Sequence, residues 1–218
     1  MEKEINEIKK AAGYLSTRGW AEMNAGNISY RLDDDTYLVS ATGSRMRNLQ
    51  NDFEGNAILI KDKGIDIVFK QLSDKVLAPT SELATHLAMH KFIIENKLNY
   101  RLIIHTHPDE IIALTQIKSF NSKEAINNML WNVLPESKLL IPRGITFVKY
   151  YITGSRKLAE KSAEALAESN LIIWEKHGCI VAAENAEKAI DMIDVIVKAV
   201  KIFFTLRAAG FMPEGLSN

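Results

Sequence analysis

Short apolar runs of strand length recur along the whole chain, some joined by tight turns and others separated by stretches of helical periodicity. That alternation limits the fold more than any single motif does. Residues 3–20 place Ile5, Ile8, Ala12 and Leu15 on one face of a helix. Residues 27–32 and 36–40 read as a hairpin across Asp33-Asp34-Asp35, and 57–61 and 65–69 as a second around Lys63-Gly64. A helix at 81–96 leads to a buried strand at 101–105 and helices at 108–116 and 123–133. Strands at 139–141 and 145–150, a helix at 155–168 and a hairpin of 171–175 with 178–183 follow. The terminal helix, 185–208, carries the stripe Ile190, Ile193, Val197, Val200, Phe204. Hairpins mixed with crossover helices predict a three-layer α/β fold with a mixed or largely antiparallel sheet.

No repeat, low-complexity tract or linker divides the sequence, so residues 1–218 are expected to form a single domain. Thr42-Gly43-Ser44-Arg45 recurs as Thr153-Gly154-Ser155-Arg156, but the second copy directly precedes a strong helix former. Its Ser or Thr reads as an N-cap and the repetition as coincidence. No Gly-x-Gly-x-x-Gly or Walker-type sequence occurs, so dinucleotide and P-loop chemistry have no support. With 27 Lys+Arg against 27 Asp+Glu the chain has no net field to attract nucleic acid or a membrane surface. One cysteine, Cys179, precludes an internal disulfide and fits a reducing compartment. Met1-Glu2-Lys3-Glu4 has no apolar signal core, and no apolar run reaches membrane-spanning length. A cytoplasmic location is expected.

Chemistry concentrates in a few polar segments. His105-Thr106-His107 ends the apolar strand 101–105, where alternate residues point the same way and two imidazoles can share a metal, zinc above all. His177 follows another apolar strand in a tight turn, where Gly178 allows close backbone approach. By itself it reads equally as a surface-turn histidine. If the sheet gathers all three, three protein ligands and one open position make the catalytic zinc pattern. Glu82, in Pro79-Thr80-Ser81-Glu82, is either a carboxylate favoured by a helix N-terminus or a general base beside the metal. Glu82, His86 and His90 share a helix face, but Leu83, Leu87 and Ile94 mark a buried stripe nearby. The two histidines read as flank or core residues with ordinary hydrogen bonds. Asn24-Ala25-Gly26-Asn27, Thr42-Gly43-Ser44 and Thr80-Ser81 read as turns, and together as amides and hydroxyls able to hold a phosphate.

Gly19-Trp20, Asn24-Ala25-Gly26-Asn27, Thr42-Gly43-Ser44, Pro79-Thr80-Ser81-Glu82, His105-Thr106-His107, Leu130-Trp131 and His177-Gly178 occur in the order seen in class II sugar-phosphate aldolases. The resemblance spans about residues 8–206 and leans towards the rhamnulose-phosphate members, with fuculose-phosphate aldolases and ribulose-phosphate 4-epimerases as relatives. It implies an α/β/α sandwich on a mainly antiparallel, nine-stranded sheet. It also implies a homotetramer with active sites between neighbouring subunits. Carried over residue by residue, His105, His107 and His177 hold one zinc ion per subunit and Glu82 is the catalytic acid/base. Asn24, Gly26, Asn27, Thr42, Gly43, Ser44, Thr80 and Ser81 match the phosphate-receiving region, and Glu136 a glutamate supplied to the adjacent subunit. The implied reaction is reversible cleavage of a ketose 1-phosphate, first L-rhamnulose 1-phosphate, to dihydroxyacetone phosphate and L-lactaldehyde. Fuculose-phosphate cleavage, 4-epimerisation and dehydration are the alternatives on the same scaffold. A non-catalytic module like the adducin head needs neither the three histidines nor Glu82. One departure is the short segment 31–42, which in rhamnulose-phosphate aldolases is longer.

Overall fold

The computed structural model describes residues 1–215. In chain order the elements are α1 (Glu2–Arg18), β1 (Asn27–Arg31), β2 (Thr36–Ser40), α2 (Met46–Asn51), β3 (Ala57–Asp62), β4 (Ile67–Gln71) and α3 (Leu83–Glu95). β5 (Leu102–Thr106), α4 (Asp109–Gln116), a 3-10 turn (Lys118–Phe120), α5 (Lys123–Val133), α6 (Ser137–Leu140) and β6 (Thr146–Val148) follow. α7 (Arg156–Ala165), β7 (Leu171–Trp174), β8 (Gly178–Ala183) and α8 (Ala186–Ala208) complete the order.

The strands form one sheet in the order β4-β3-β2-β1-β5-β8-β7-β6. Every pairing is antiparallel except β6 with β7. Side-chain alternation divides the central strands between two apolar layers. Ile28, Leu102, Ile104, Cys179 and Val181 pack against the helices of one face, including α1 and α8. Ile103, Ile180 and Ala182 pack against α3 and α7 on the other. The result is the expected three-layer α/β sandwich. Ile190, Ile193, Val197 and Val200 of the α8 stripe are buried, and each such side chain contributes roughly 1.5–3 kcal/mol. Phe204 is only partly buried, and Phe203 takes the core position instead.

The sheet has eight strands among the described residues, not nine. The segment 139–141 accounts for the difference: Ser137–Leu140 is a helical turn, and Leu139 and Leu140 are 81% and 53% exposed. Three apolar residues between prolines 135 and 142 are too few to distinguish a strand from a turn. Ser137 Oγ donates to the Leu130 carbonyl at 3.1 Å, which ties the turn to the end of α5. α2 escapes the sequence pattern for a related reason, since six residues with two buried apolar positions show no period. Ser155 caps α7 as expected, its Oγ accepting from Leu158 N at 3.2 Å.

Candidate active site

Antiparallel pairing brings the polar segments to one end of the sheet. The beginning of β1, the ends of β2 and β5, and the β7–β8 turn all lie there, because Asn27 pairs with His105 and Thr106 with Cys179. An isolated bridge between Ala41 and Pro79, with Thr42 N donating to Ala78 O at 2.8 Å, fastens Thr80-Ser81-Glu82 to the same end. Sequence segments separated by 150 residues therefore share one cleft of about 150 Å³. Larger surface grooves exist, such as one of about 510 Å³ along α8 between Arg18 and Lys201, but among the described residues they gather no convergent metal-ligand set.

His105, His107 and His177 meet in that cleft, with one ligand atom from each lying within 4.8 Å of the others. Their ring centroids are 4.5 to 4.9 Å apart. His105 Nδ1 donates to the Cys179 carbonyl at 2.9 Å, which fixes the tautomer and leaves Nε2 without a proton, 2.7 Å from His107 Nε2. The Trp20 carbonyl accepts from both Thr106 Oγ1 and His107 N, at 2.6 and 2.9 Å, and so sets the turn that carries His107. His177 stands on a turn in which Lys176 and Gly178 have φ of 57° and 152°. A Cβ on Gly178 would lie 2.4 Å from the Thr106 carbonyl oxygen and 2.9 Å from the His107 ring. Only glycine lets the two histidine-bearing segments come this close.

Burial pushes the His105 imidazole well below its ordinary value, and the neighbouring His177 pushes it further. Burial, then His105 and His177, hold His107 down to about 3, and burial also lowers His177. Neutral imidazoles with converging lone pairs are the protonation state a divalent cation requires.

Glu82 is the N-cap residue of α3, is 2% exposed, and faces the same cluster. Its Oε2 accepts from Asn27 Nδ2 at 2.9 Å and lies 3.4 Å from His105 Nε2. Oε1 is buried without a hydrogen-bond partner, 3.9 Å from His177 Nε2. An orphaned carboxylate oxygen beside three converging histidine rings is a donor set with the character of a zinc site. His86 and His90 do not join it. Both are fully buried on the α3 face turned to the sheet, where they hydrogen-bond to Ser29 and, for His86, to Asn27. The most buried stripe of α3 is Thr85, His86, Met89, His90, Ile93, while Leu83 and Leu87 are partly buried on its flank.

Asn24, Gly26, Asn27, Thr42, Gly43, Thr80 and Ser81 line the cleft around this cluster. Ser44 lies behind the Thr42-Gly43 turn, its hydroxyl donated to the Asn56 carbonyl at 3.0 Å. Glu136 is exposed at the start of α6 and lines no part of this cleft. Sequence reasoning missed Thr153, which lines the cleft together with Thr42. The repeated Thr-Gly-Ser-Arg was the available signal.

This chain belongs to the family described as Class II Aldolase and Adducin N-terminal domain, which it matches over residues 6–204. Within that family it stands with the aldolases, enzymes that make and break carbon–carbon bonds. It is 33% identical to the rhamnulose-1-phosphate aldolase of Bacteroides thetaiotaomicron over 245 aligned residues, covering 99% of this chain and 90% of that one. Identity to the rhamnulose-1-phosphate aldolase of Listeria welshimeri is 28%, covering 98% and 86%. The crystal structure of a sugar-phosphate aldolase from Thermotoga maritima superposes with a TM-score of 0.85 at 29% identity, covering 99% of both chains.

Proposed function

We propose that this aldolase is a single-domain, zinc-dependent cytoplasmic enzyme that reversibly cleaves a ketose 1-phosphate between C3 and C4. L-Rhamnulose 1-phosphate is the first substrate, giving dihydroxyacetone phosphate and L-lactaldehyde. The observation that carries this reading is the meeting of three neutral imidazoles with a buried carboxylate whose Oε1 has no partner. His105, His107 and His177 would hold the ion, whose contribution is Lewis-acid stabilisation of the negative charge that develops on the triose fragment. Glu82 delivers a proton to the enediolate carbon in cleavage and removes it in condensation. The polar rim of Asn24, Gly26, Asn27, Thr42, Gly43, Thr80 and Ser81 anchors the phosphate, with Ser44 supporting the Thr42-Gly43 turn. This anchor fixes the reacting carbons relative to Glu82. Glu136, exposed and not among the residues lining its own cleft, serves the aldehyde end of a neighbouring subunit's site in a homotetramer. The short segment 31–42 favours L-fuculose 1-phosphate as the second sugar to test.

The chain as purified should carry about one zinc per chain, and chelation should abolish turnover. Triose phosphate release is measured with L-rhamnulose 1-phosphate and with L-fuculose 1-phosphate. Activity with neither would overturn the aldolase substrate assignment and leave the 4-epimerase or dehydratase alternatives. Glu82→Gln should lower kcat by roughly 10²- to 10⁴-fold with zinc retained. Normal cleavage by that variant would make the Glu82 carboxylate structural only.

A further inference from the structure

Behind Glu82 lies a line of buried polar groups that a metal site alone does not need. Asn27 Nδ2 donates to Glu82 Oε2 at 2.9 Å, and Asn27 Oδ1 meets His86 Nε2 at 2.5 Å. His86 Nδ1 meets Ser29 Oγ at 2.7 Å, and Ser29 Oγ meets His90 Nε2 at 2.8 Å. His86, His90 and Ser29 are completely buried, and Asn27 is 7% exposed. The line comes from two elements only: alternate residues of β1 supply Asn27 and Ser29, and one turn of α3 separates Glu82, His86 and His90.

The direction of these hydrogen bonds follows from counting donors. Asn27 turns its Nδ2 to Glu82 Oε2 and its carbonyl oxygen, which can only accept, to His86. His86 must then donate through Nε2. Burial pushes the His86 imidazole down to about 4, so it carries one proton, and Nδ1 is left to accept from the Ser29 hydroxyl. Ser29 Oγ in turn accepts from His90 Nε2–H, and His90 Nδ1 is the bare nitrogen that has no partner. Reversing the line would place a buried, orphaned N–H on His90 and the Asn27 carbonyl oxygen against the carboxylate. One orientation therefore wins at every link.

We infer that His86, held by Ser29 and His90, is a positioning residue that acts through Asn27 to aim the Glu82 carboxylate. This rests on the reading of Glu82 as the proton-transfer group. The line clamps Oε2, 3.4 Å from His105 Nε2, and leaves Oε1 without a hydrogen-bond partner at the cluster, 3.9 Å from His177 Nε2. It also gives the Asn27 side chain a use besides phosphate binding, since its carbonyl and one N–H are already committed.

The zinc-loaded protein and its variants are compared in cleavage of L-rhamnulose 1-phosphate, or of L-fuculose 1-phosphate if that is the sugar it cleaves. His86→Leu should lower kcat by roughly 10- to 100-fold, as a misaimed catalytic group does, with KM changed by less than threefold and zinc content unchanged. His86→Gln, which keeps a donor near the Nε2 position, should recover most of that loss. In the Glu82→Gln background His86→Leu should cost nothing further, because both act through the same group. Wild-type kcat in His86→Leu, or losses that multiply in the double variant, would overturn the inference while an inactive Glu82→Gln left the parent reading intact. A fully active Glu82→Gln would overturn both. Should His86→Leu fail to fold, Ser29→Ala tests the same link with the same expected kcat–KM split. Independently of turnover, long-range ¹H–¹⁵N correlation spectra should show His86 and His90 as Nε2–H tautomers. An Nδ1–H tautomer at His86 would run the line the other way and sink the inference.

Discussion

Gly178→Ala tests whether the site depends on the closeness of two backbone segments. The added methyl would lie 2.4 Å from the Thr106 carbonyl oxygen, a backbone atom with no side-chain freedom to yield. Real Cβ contacts stop at 3.0 Å, so the β7–β8 turn must retreat by about 0.6 Å, several times the roughly 0.2 Å tolerance of a metal–ligand distance. The same methyl meets the His107 ring at 2.9 Å, so two of the three imidazoles are displaced together. A φ of 152° is also unfavourable for alanine, and strain of this kind costs about 1–3 kcal/mol. Zinc affinity, measured by competition with a chromophoric chelator, should fall at least tenfold, on the scale of the roughly 10- to 100-fold losses seen when ligand support is removed. The Tm of the metal-free chain should fall by about 2–10 °C. Affinity and Tm both unchanged would refute the claim that close approach at Gly178 builds the site.

Three further outcomes follow from other parts of the molecule. Asn127 Oδ1 accepts from Ile145 N at 2.8 Å and its Nδ2 donates to Ile145 O at 3.1 Å. Asn127→Leu strands both backbone groups at about 1–3 kcal/mol each, and a calorimetric Tm should fall by roughly 5–15 °C with zinc binding kept. The metal-free chain should lose stability as pH falls below the unfolded histidine value near 6.5, because folded His86 resists protonation down to about 4. At about 1.4 kcal/mol per pH unit that one buried group accounts for about 3 kcal/mol, read as a falling urea midpoint between those limits. Trp174→Phe removes the 3.0 Å hydrogen bond from Nε1 to Ser162 Oγ but keeps the ring beside His105, so about 1 kcal/mol of stability should go while zinc affinity stays within a few-fold.

Local chemistry made much of this legible in the linear chain. The hairpins and long helices follow from side-chain period, and the ends of apolar strands marked His105-Thr106-His107 and His177 as places where polar groups can emerge. Those cues act within a few residues and survive whatever the rest of the fold does. Segments too short to show a period did not declare themselves: α2 was absent from the pattern, and 139–141 looked like a strand but turned into a helix. The two uses of α3 also looked alike in sequence, since Glu82, His86 and His90 are equally spaced along one face. Only the packing of that face against β1 sends Glu82 to the histidine cluster and the other two into a line behind it. Thr153 joins Thr42 in the cleft for the same reason, because strand order and register, unlike helical or strand period, are properties of contacts between distant parts of the chain. Residue identity settled which chemistry was available, and antiparallel pairing at one end of the sheet decided which residues could perform it together.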